Sequence, residues 1–320
     1  MTVPLQLPVE FLNVSAAVSG ITLAEQASWA TGFAAPTMIT YLDGLGLHIS
    51  WDITRTRSSK TDFGECTIKN LSRAFRGLLY ETWQVYNATP AGFKLGVHIG
   101  WGGSVNMVMM GDVWEMVPER RSGEDVLTIF KFGEGQKPVK EGTTPTPKQY
   151  TYEAGNALGL WLTIQDMFAN LGLQVDQTML PLFTAAVVRT PLSASGSWSL
   201  DGELVDNIND TLDTFGLEWK VYNGLVIFMD RGITATSQDA LAALLTASTG
   251  LINWEMTDDG GIAVQALAQP SIRPGVQFVV QDAFGVPVGA PGFRVETVQF
   301  AGQTDGDSLM NLTGRRSIPV

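Results

Sequence analysis

The stretch "GLHISWDITRTR", residues 46–57, places Leu47, Ile49, Trp51 and Ile53 at every second position, with polar residues between most of them. Successive side chains of a β-strand point to opposite faces of the sheet. The spacing therefore predicts a strand with one buried face. From about residue 41 we expect the chain to fold as a β domain.

The β pattern continues to about residue 134. Four more segments predict strands: "GECTIKNL", "FKLGVHIGWGG", "NMVMMGDVWEMVPER" and "DVLTIFKFGEG". Between them "SRAFRGLLYETW" predicts a short helix with Ser72 as its N-cap. Strands separated by short turns favour a closed or nearly closed barrel for residues 41–134. Residues 1–40 form an irregular N-terminal segment, in which "LAEQASWATGFAAPTM" is a candidate for a short helix before Pro36.

A change of composition marks the next boundary. Residues 135–152 are rich in Pro, Thr, Gly and Lys and are predicted to be a linker or an exposed loop. Residues 153–236 predict an α+β domain with a helix from about residue 156 to Gly172, then a second helix, then a hairpin turning at Asn223-Gly224. The second helix ends at Gly216, and its apolar face consists of Leu204, Ile208, Leu212 and Phe215.

Residues 237–320 predict a second strand-rich domain. "SQDALAALLTAS" predicts a short helix at its start. Strands are predicted in "GIAVQALA", "GVQFVVQDA", "FRVETVQFAGQ" and "DSLMNLTGRRSIPV". The sequence thus predicts an α+β fold that is mainly β, in the order β domain, small helix-and-hairpin domain, β domain.

The composition favours a protein with large permanent contacts. Apolar residues make up 45 % of the chain and charged residues 16 %, with a net charge of −12. Few charges suit an assembly, although an ordinary globular protein with few charges is the alternative. The negative charge argues against wrapping nucleic acid. Basic clusters occur at Arg55, Arg57 and Lys60, at Arg120 and Arg121, and at Arg315 and Arg316; we interpret them as solvated loops or partners for the acidic excess.

The single cysteine and the hydropathy pattern indicate the compartment in which the chain folds. Cys66 is the sole cysteine, which excludes an intrachain disulfide and a thiolate zinc site within one chain. The N-terminal "MTVPLQLPVEF" does not have the pattern of a signal peptide, and no apolar stretch is long enough for a membrane span. We therefore expect folding in a cytoplasm.

Catalytic signatures are not found in the sequence. His48 and His98 lie in separate predicted strands, and the pairs Asp258-Asp259 and Asp305/Asp307 lie in Gly-containing turns, where such side chains usually bond to the backbone. A P-loop and a Gly-X-Ser-X-Gly elbow do not occur. The nine tryptophans are scattered, as expected of core or interface residues. We predict no enzyme activity, no catalytic, cofactor-binding or metal-binding residues, and no cofactor.

Several segments resemble the baseplate hub proteins of contractile-tailed bacteriophages, the family of late control protein D. The similar segments are "STGLI" at 248–252, "GIAVQALAQPSIRPG" at 261–275, "FRVETVQFAGQTDGDSLMNLTGR" after it, and "LHISWDITRTRSSKTDFGECTIKNLSRAFRGLL" near the start. The resemblance covers about residues 41–316. It implies two barrels like those of tail tube proteins, at 41–134 and 237–320.

The resemblance also implies a function. Such hubs are homotrimers in the virion's tail baseplate, assembled in the host bacterial cytoplasm, that join a sixfold tail tube, or its initiator, to a threefold central spike. Other baseplate proteins surround them, and the genome DNA passes through the lumen without specific binding. The alternatives are a tail-associated enzyme that cuts cell-wall glycan, a glycan- or receptor-binding tail module, and the hub of a bacteriocin or related injection system.

Overall fold

The computed structural model describes residues 13–17, 37–40, 48–57, 61–87, 93–101, 104–135, 148–153, 156–190, 195–200, 203–222, 224–231, 243–303 and 306–316. The helix predicted before Pro36 and most of the predicted linker lie outside these residues. Within the described part, no helix is long and apolar enough to cross a membrane.

Most of the described chain is β-strand. The strands of the first half are β1 (Asn13–Ala17), β2 (Thr37–Thr40), β3 (Ile49–Thr56), β4 (Phe63–Lys69), β5 (Lys94–Trp101), β6 (Ser104–Ser122), β7 (Asp125–Gly133) and β8 (Lys148–Glu153). Those of the second half are β9 (Gln174–Val175), β10 (Ser195–Leu200), β11 (Leu217–Tyr222), β12 (Leu225–Asp230), β13 (Ala243–Leu245), β14 (Leu251–Met256), β15 (Ile262–Leu267), β16 (Gln277–Gln281), β17 (Pro287–Gln303) and β18 (Leu309–Arg316). The prediction of a mainly β chain is confirmed.

The described part of the chain contains few helices. They are α1 (Arg73–Asn87), α2 (Ala157–Asn170), α3 (Leu180–Arg189) and α4 (Leu204–Thr214), with short 3₁₀ turns at Gln177–Met179 and Ala247–Thr249. Helices α1, α2 and α4 are predicted by the sequence pattern, whereas α3 is not. The predicted end of α2 is also seen, because Gly172 adopts a left-handed conformation with φ of 75°.

One sheet of thirteen strands dominates the molecule. Its order is β14-β15-β18-β17-β3-β4-β7-β6-β5-β1-β2, with β16 pairing β17 and β13 pairing β16. From β14 to β6 every neighbouring pair is antiparallel. The two predicted strand-rich domains are therefore joined edge to edge through β17 and β3.

This joined sheet has one buried face and one open face. Ile49, Trp51 and Ile53 are buried, as their spacing predicts, and their polar neighbours lie on the open face. The buried residues of both strand-rich regions form a single apolar core. Two separate closed barrels are not evident in the described strands, since a common sheet and a common core connect the two regions.

The middle of the chain forms a second core. Helices α2, α3 and α4 pack against β11, β12 and β9. The aromatic rings of Trp161, Phe168, Phe183, Trp219 and Phe228 contact one another in this core. We call residues 156–231 the helix–hairpin unit.

The helix predicted in residues 237–248 is wrong where the structure describes it. Residues 243–245 form strand β13, which pairs in parallel with β16, and residues 247–249 form a 3₁₀ turn. Leu245 is buried beneath the sheet. The helix propensity of Ala and Leu amounts to tenths of a kcal/mol per residue, so the ladder bonds and burial of a core strand outweigh it.

Candidate assembly interface

The two strand-rich regions have the same internal topology. In the first, the sheet order is β3-β4-β7-β6-β5; in the second, it is β14-β15-β18-β17-β16. Numbered along the chain within each region, both orders are first, second, fifth, fourth, third. We call them the first and the second sheet unit. Helix α1 lies between β4 and β5 in the first unit, whereas residues 268–276 connect β15 and β16 in the second.

Long bent strands occupy the same place in both units. The first part of β6 pairs with β5 and its second part with β7; β17 likewise pairs first with β16 and then with β18. In each strand a bulge follows the residue at the change of partner, Val113 in β6 and Val295 in β17. Val113 N–H donates to Phe93 and Val295 N–H to Val276, at 2.8 and 2.9 Å. A bulge bends a strand, so both strands can serve two neighbours.

The register gives a residue-by-residue equivalence between the units. Trp51 on β3 faces Cys66, and Trp254 on β14 faces Val264; these partners in turn face Phe130 on β7 and Leu312 on β18. The equivalence aligns "ISWDIT", residues 49–54, with "INWEMT", residues 252–257. This repeated Ile-polar-Trp-acidic motif is a sequence signal that the sequence analysis missed, together with strand β14 itself.

The joint between the units is made by main-chain pairing. Strand β17 pairs with β3 over Thr297–Gln303, and Ala301 lies opposite Asp52. The Asp52 carboxylate accepts two hydrogen bonds from Gln299 Nε2, at 2.8 and 3.0 Å. The joint therefore continues the sheet without a gap.

The open face of the joined sheet carries many uncharged polar side chains, together with exposed apolar ones at Phe63, Trp114 and Leu267. The uncharged polar ones include Ser50, Thr54, Thr56, Thr67, Asn253, Gln265, Thr297, Gln299, Asn311 and Thr313. The charged side chains on this face nearly balance: Asp52, Glu65, Glu115, Asp125 and Glu255 against Lys69, Arg120, Lys131 and Arg315. Lys131 binds Glu115 through both carboxylate oxygens at 3.0 Å. The excess of acidic residues thus does not lie on this face; a series of exposed acids lies instead on α4, at Asp206, Asp210 and Asp213.

A buried charged cluster joins the first sheet unit to the helix–hairpin unit. Arg55 donates to Glu134 at 2.6 Å, and Lys220 of β11 donates to Asp62 at 2.5 Å and to the Thr56 carbonyl at 2.6 Å. All four ionisable side chains are at most 1 % exposed. The basic residues near Arg55 were expected to be solvated or to be partners for the acids. Arg55 is such a partner, and it is fully buried.

Burial and pairing oppose each other in this cluster. Burial alone lowers the pKa of Arg55, but Glu134, Tyr222 and Asp62 leave that pKa above its ordinary value. Burial lowers the pKa of Lys220 and raises that of Asp62, with each group offsetting part of the effect on the other. Such a cluster gives little net stability, yet losing one member leaves an unbalanced buried charge. It lies between the helix–hairpin unit and the first sheet unit, which Lys220 links through Asp62 and the Thr56 carbonyl.

A second layer of charges, mostly buried, reaches the second sheet unit. Arg57 lies 3.1 Å from Glu218 of β11 and 3.7 Å from Glu296 of β17. Glu296 in turn accepts from Arg294 at 2.8 Å. Strand β3, which belongs to the first sheet unit, pairs through its backbone with β17 of the second sheet unit. Arg57, directly after β3, contacts the helix–hairpin unit at Glu218 and the second sheet unit at Glu296.

The residues considered for catalysis do not converge. His48 lies at the start of β3, while Asp259 lies in the exposed turn after β14, where its carboxylate accepts from Thr257 Oγ1 and Gly261 N–H. The hydrogen bond from Thr257 is the main reason that the pKa of Asp259 is lowered. The side chain of His98 and residue Asp305 lie outside the described part. Among the described residues, no group of three or more His, Cys, Asp or Glu side chains could hold a metal ion.

Comparison with known proteins gives matches at the level of structure alone. No family model and no curated protein sequence matches the chain. The tail protein from Neisseria meningitidis MC58 aligns over 95 % of this chain and 96 % of its own, with a TM-score of 0.54 and 9 % identity. The 43 kDa tail protein of prophage MuSo2 from Shewanella oneidensis aligns over 96 % and 98 %, with a TM-score of 0.57 and 10 % identity. The chain shares the fold of these tail proteins.

A third match is more distant. The Escherichia coli c3393 protein, a component of the type VI secretion system, aligns over 86 % of this chain and 76 % of its own, with a TM-score of 0.45 and 9 % identity. That similarity is too weak to support an argument. The shared fold with the two tail proteins covers nearly the whole chain, including the helix–hairpin unit.

Proposed function

We propose that this chain is a structural hub of a phage tail baseplate. Three copies would form a ring that presents six sheet units, and so would match a sixfold tail tube on one side and a threefold central spike on the other. The observation that carries the proposal is the repeat of one strand order, first-second-fifth-fourth-third, within a single continuous sheet. Because each chain has two equivalent units, a ring of three chains presents six of them and can match a sixfold partner.

The open face supports the idea of a lumen. Its uncharged polar side chains are Thr, Asn, Gln and Ser, and its few cations are nearly balanced by carboxylates, so it offers little net positive charge to bind phosphates. DNA would pass such a surface without specific binding. The negative charge of the whole chain lies largely elsewhere, which makes charge repulsion a smaller part of the mechanism than the net charge of −12 suggests.

The shared fold with two tail proteins supports a place in the virion tail. In this proposal the partners are two further copies of the chain, the tube protein or its initiator, the spike protein and other baseplate proteins. The chain would act by geometry and without bond chemistry, metal or cofactor. The same architecture would serve the hub of a bacteriocin or related injection system.

The test is a cryo-electron-microscopy reconstruction of the intact particle. We expect three copies of the chain at the end of the tail tube next to the spike. Six copies, or a position at a fibre tip, would refute the proposal. An assay of the purified protein for release of fragments from peptidoglycan separates the hub from a wall-degrading enzyme, because a hub releases none.

A further inference from the structure

An aromatic-lined cavity lies on the open face of the first sheet unit. Its volume is about 540 Å³, and it spans the neighbouring strands β17, β3, β4, β7 and β6. The rings of Phe63 and Trp114 line it, together with the carboxylates of Asp52 and Glu65. Phe63 is 54 % exposed and Trp114 is 38 % exposed, so neither ring belongs to the apolar core. Exposed aromatic rings beside polar groups are typical of a surface that contacts another molecule.

The two carboxylates of the cavity face each other across a strand pair. Asp52 of β3 lies directly opposite Glu65 of β4. Lys131 of β7 lies opposite Glu65 on the other side, but its ammonium binds both carboxylate oxygens of Glu115 at 3.0 Å. Asp52 accepts two hydrogen bonds from the neutral amide of Gln299, which leave its negative charge in place. Like charges at directly opposed positions destabilise a strand pair, so this arrangement costs stability in the single chain.

The second sheet unit has a cavity at the equivalent place, with a volume of about 490 Å³. The register of the repeat identifies four of its lining residues as counterparts of lining residues in the first cavity. They are Thr257, Ile262, Glu296 and Thr313, which correspond to Thr54, Gly64, Trp114 and Lys131. The two cavities can therefore be compared position by position.

The residues that give the first cavity its character are not repeated in the second. The counterpart of Glu65 is Ala263, which faces Glu255 as Glu65 faces Asp52. The counterparts of Phe63 and Trp114 are a glycine and an acid, in that order Gly261 and Glu296. Because the second unit forms the same sheet without these side chains, the fold does not require the two rings or the second carboxylate.

Aromatic rings and carboxylates together attract an organic cation. The face of a ring attracts an ammonium or guanidinium group, and a carboxylate accepts charge-assisted hydrogen bonds from its N–H groups. A guanidinium can do both at once, because it is planar and presents its donors as a fork. Asp52 and Glu65 repel the phosphates of a nucleic acid. A neutral sugar would stack on the rings but would leave both negative charges uncompensated.

The shape of the cavity favours a side chain that is carried by a longer chain. Sites for free small molecules enclose most of the ligand, whereas this cavity is shallow and lies along the face of the sheet. Thr54 and Gln299 line it as well and offer hydroxyl and amide groups to the backbone of a bound segment. A polypeptide that lies along the sheet would thus place one basic side chain among the rings and acids.

We propose that the first sheet unit binds an arginine or lysine side chain of a partner polypeptide in the cavity lined by Phe63 and Trp114, with Asp52 and Glu65 as counter-ions. A bound cation compensates the two opposed carboxylates, which the single chain leaves unbalanced. All residues of the site belong to one chain, so the proposal does not depend on the ring of copies proposed above.

Fluorine NMR of the full-length chain labelled with 5-fluorotryptophan tests the site, because Trp114 lines it. The signal of Trp114 is assigned by its disappearance in Trp114→Phe. The probes are N-acetylarginine amide, the blocked peptide Gly-Gly-Arg-Gly-Gly, and N-acetylcitrulline amide, which has nearly the shape of the first probe without its charge. We expect both arginine probes to shift the Trp114 signal saturably with a Kd of about 1–10 mM, and the citrulline probe to leave it in place.

Variants assign the effect to the named groups. Glu65→Gln and Asp52→Asn should each weaken arginine binding about twofold to fivefold, and Phe63→Ala should weaken it by a similar factor. Glu255→Gln is the matched control: Glu255 is the counterpart of Asp52 and is exposed, but it does not line this cavity, so binding should be unchanged. Urea unfolding of Glu65→Gln should show no loss of stability, because the variant relieves the opposed charges. Weaker binding at undiminished stability marks Glu65 as a binding group.

Three results would overturn the proposal. Equal shifts with the arginine and citrulline probes mean that the cavity does not recognise charge. A shift with an oligothymidylate or with a trisaccharide of N-acetylglucosamine, and none with arginine, assigns the cavity to a nucleic acid or a glycan. The third result is a Trp114 signal that no probe moves at about 50 mM, well above the expected Kd. None of these results bears on the hub proposal, which the number of copies in the particle decides.

Discussion

Replacing Lys220 by methionine tests whether the buried charged cluster holds the helix–hairpin unit on the sheet. The Lys220 ammonium lies 2.5 Å from Asp62, and both side chains are at most 1 % exposed. The substitution keeps most of the apolar stem but removes the positive charge nearest to a buried carboxylate. Breaking one partner of such a pair costs about 3–5 kcal/mol. We expect the free energy of unfolding to fall by this amount.

Two further variants make the result specific. Lys131→Met removes a similar pair on the open face, where the Lys131 and Glu115 side chains are 40 % and 46 % exposed, and is expected to cost about 0–1 kcal/mol. The double variant Lys220→Met/Asp62→Leu removes one positive and one negative charge and leaves Arg55 with Glu134. It is expected to recover much of the loss, because a buried ion pair replaced by apolar groups is often close to neutral.

Urea unfolding followed by far-ultraviolet circular dichroism measures these free energies, and hydrogen exchange of the β3 and β11 amides locates the effect. A loss below about 1 kcal/mol in Lys220→Met, similar to the surface control, would show that the cluster is not what fixes the two parts. A double variant at least as unstable as the sum of its single variants would refute the charge argument as well.

Three shorter predictions concern single positions. Gly111→Ala should destabilise the chain, because a Cβ atom would lie 2.3 Å from the β7 backbone. Gly77→Ala, in the open part of α1, should stabilise the chain by about 0.5–1 kcal/mol. Thermal unfolding that ranks the two variants the other way refutes the packing argument. Cys66 should resist iodoacetamide until the protein unfolds. Its thiol has a pKa of 9.0 in the unfolded chain and about 12 in the folded one, so the unfolded state loses this proton first and the free energy of unfolding should fall as the pH rises from about 9 to 12. Cys66→Ala should remove this one-proton contribution to the pH dependence. Trp51→Ala should cost about 3–5 kcal/mol and Trp254→Ala less, because Trp51 is 4 % exposed and Trp254 is half-buried; equal losses in urea unfolding would contradict the difference in burial.

Most individual strands could be predicted from the sequence, because the alternation of buried and exposed side chains in a strand involves only residues that are close together along the chain. Alternation at Ile49, Trp51 and Ile53 identified β3, and the glycines at 172 and 216 identified the ends of α2 and α4 in left-handed conformations. Strand β14 was missed because both of its faces are partly exposed at a sheet edge, so it has no clear alternation. The helix predicted over residues 237–248 is wrong at residues 243–245, because the pairing of β13 with β16 connects residues more than thirty positions apart.

The contacts between units could not be predicted from one sequence. Lys220 and Asp62 are 158 residues apart, and Gln299 and Asp52 are 247 apart. Nothing in the local spacing of these charges distinguishes a buried partner from a solvated one. The repeated motif at Trp51 and Trp254 is visible in the sequence. That it marks the first strand of two equivalent units follows only from the strand order in the structure. The domain limits proposed from composition stay predictions.

The joint between β17 and β3 consists mainly of peptide-group hydrogen bonds, which every amino acid except proline can make. Side chains along this joint can therefore be replaced without removing the main-chain hydrogen bonds that form it. A joint of this kind is compatible with a fold that this chain shares with two tail proteins at 9–10 % identity over nearly its full length.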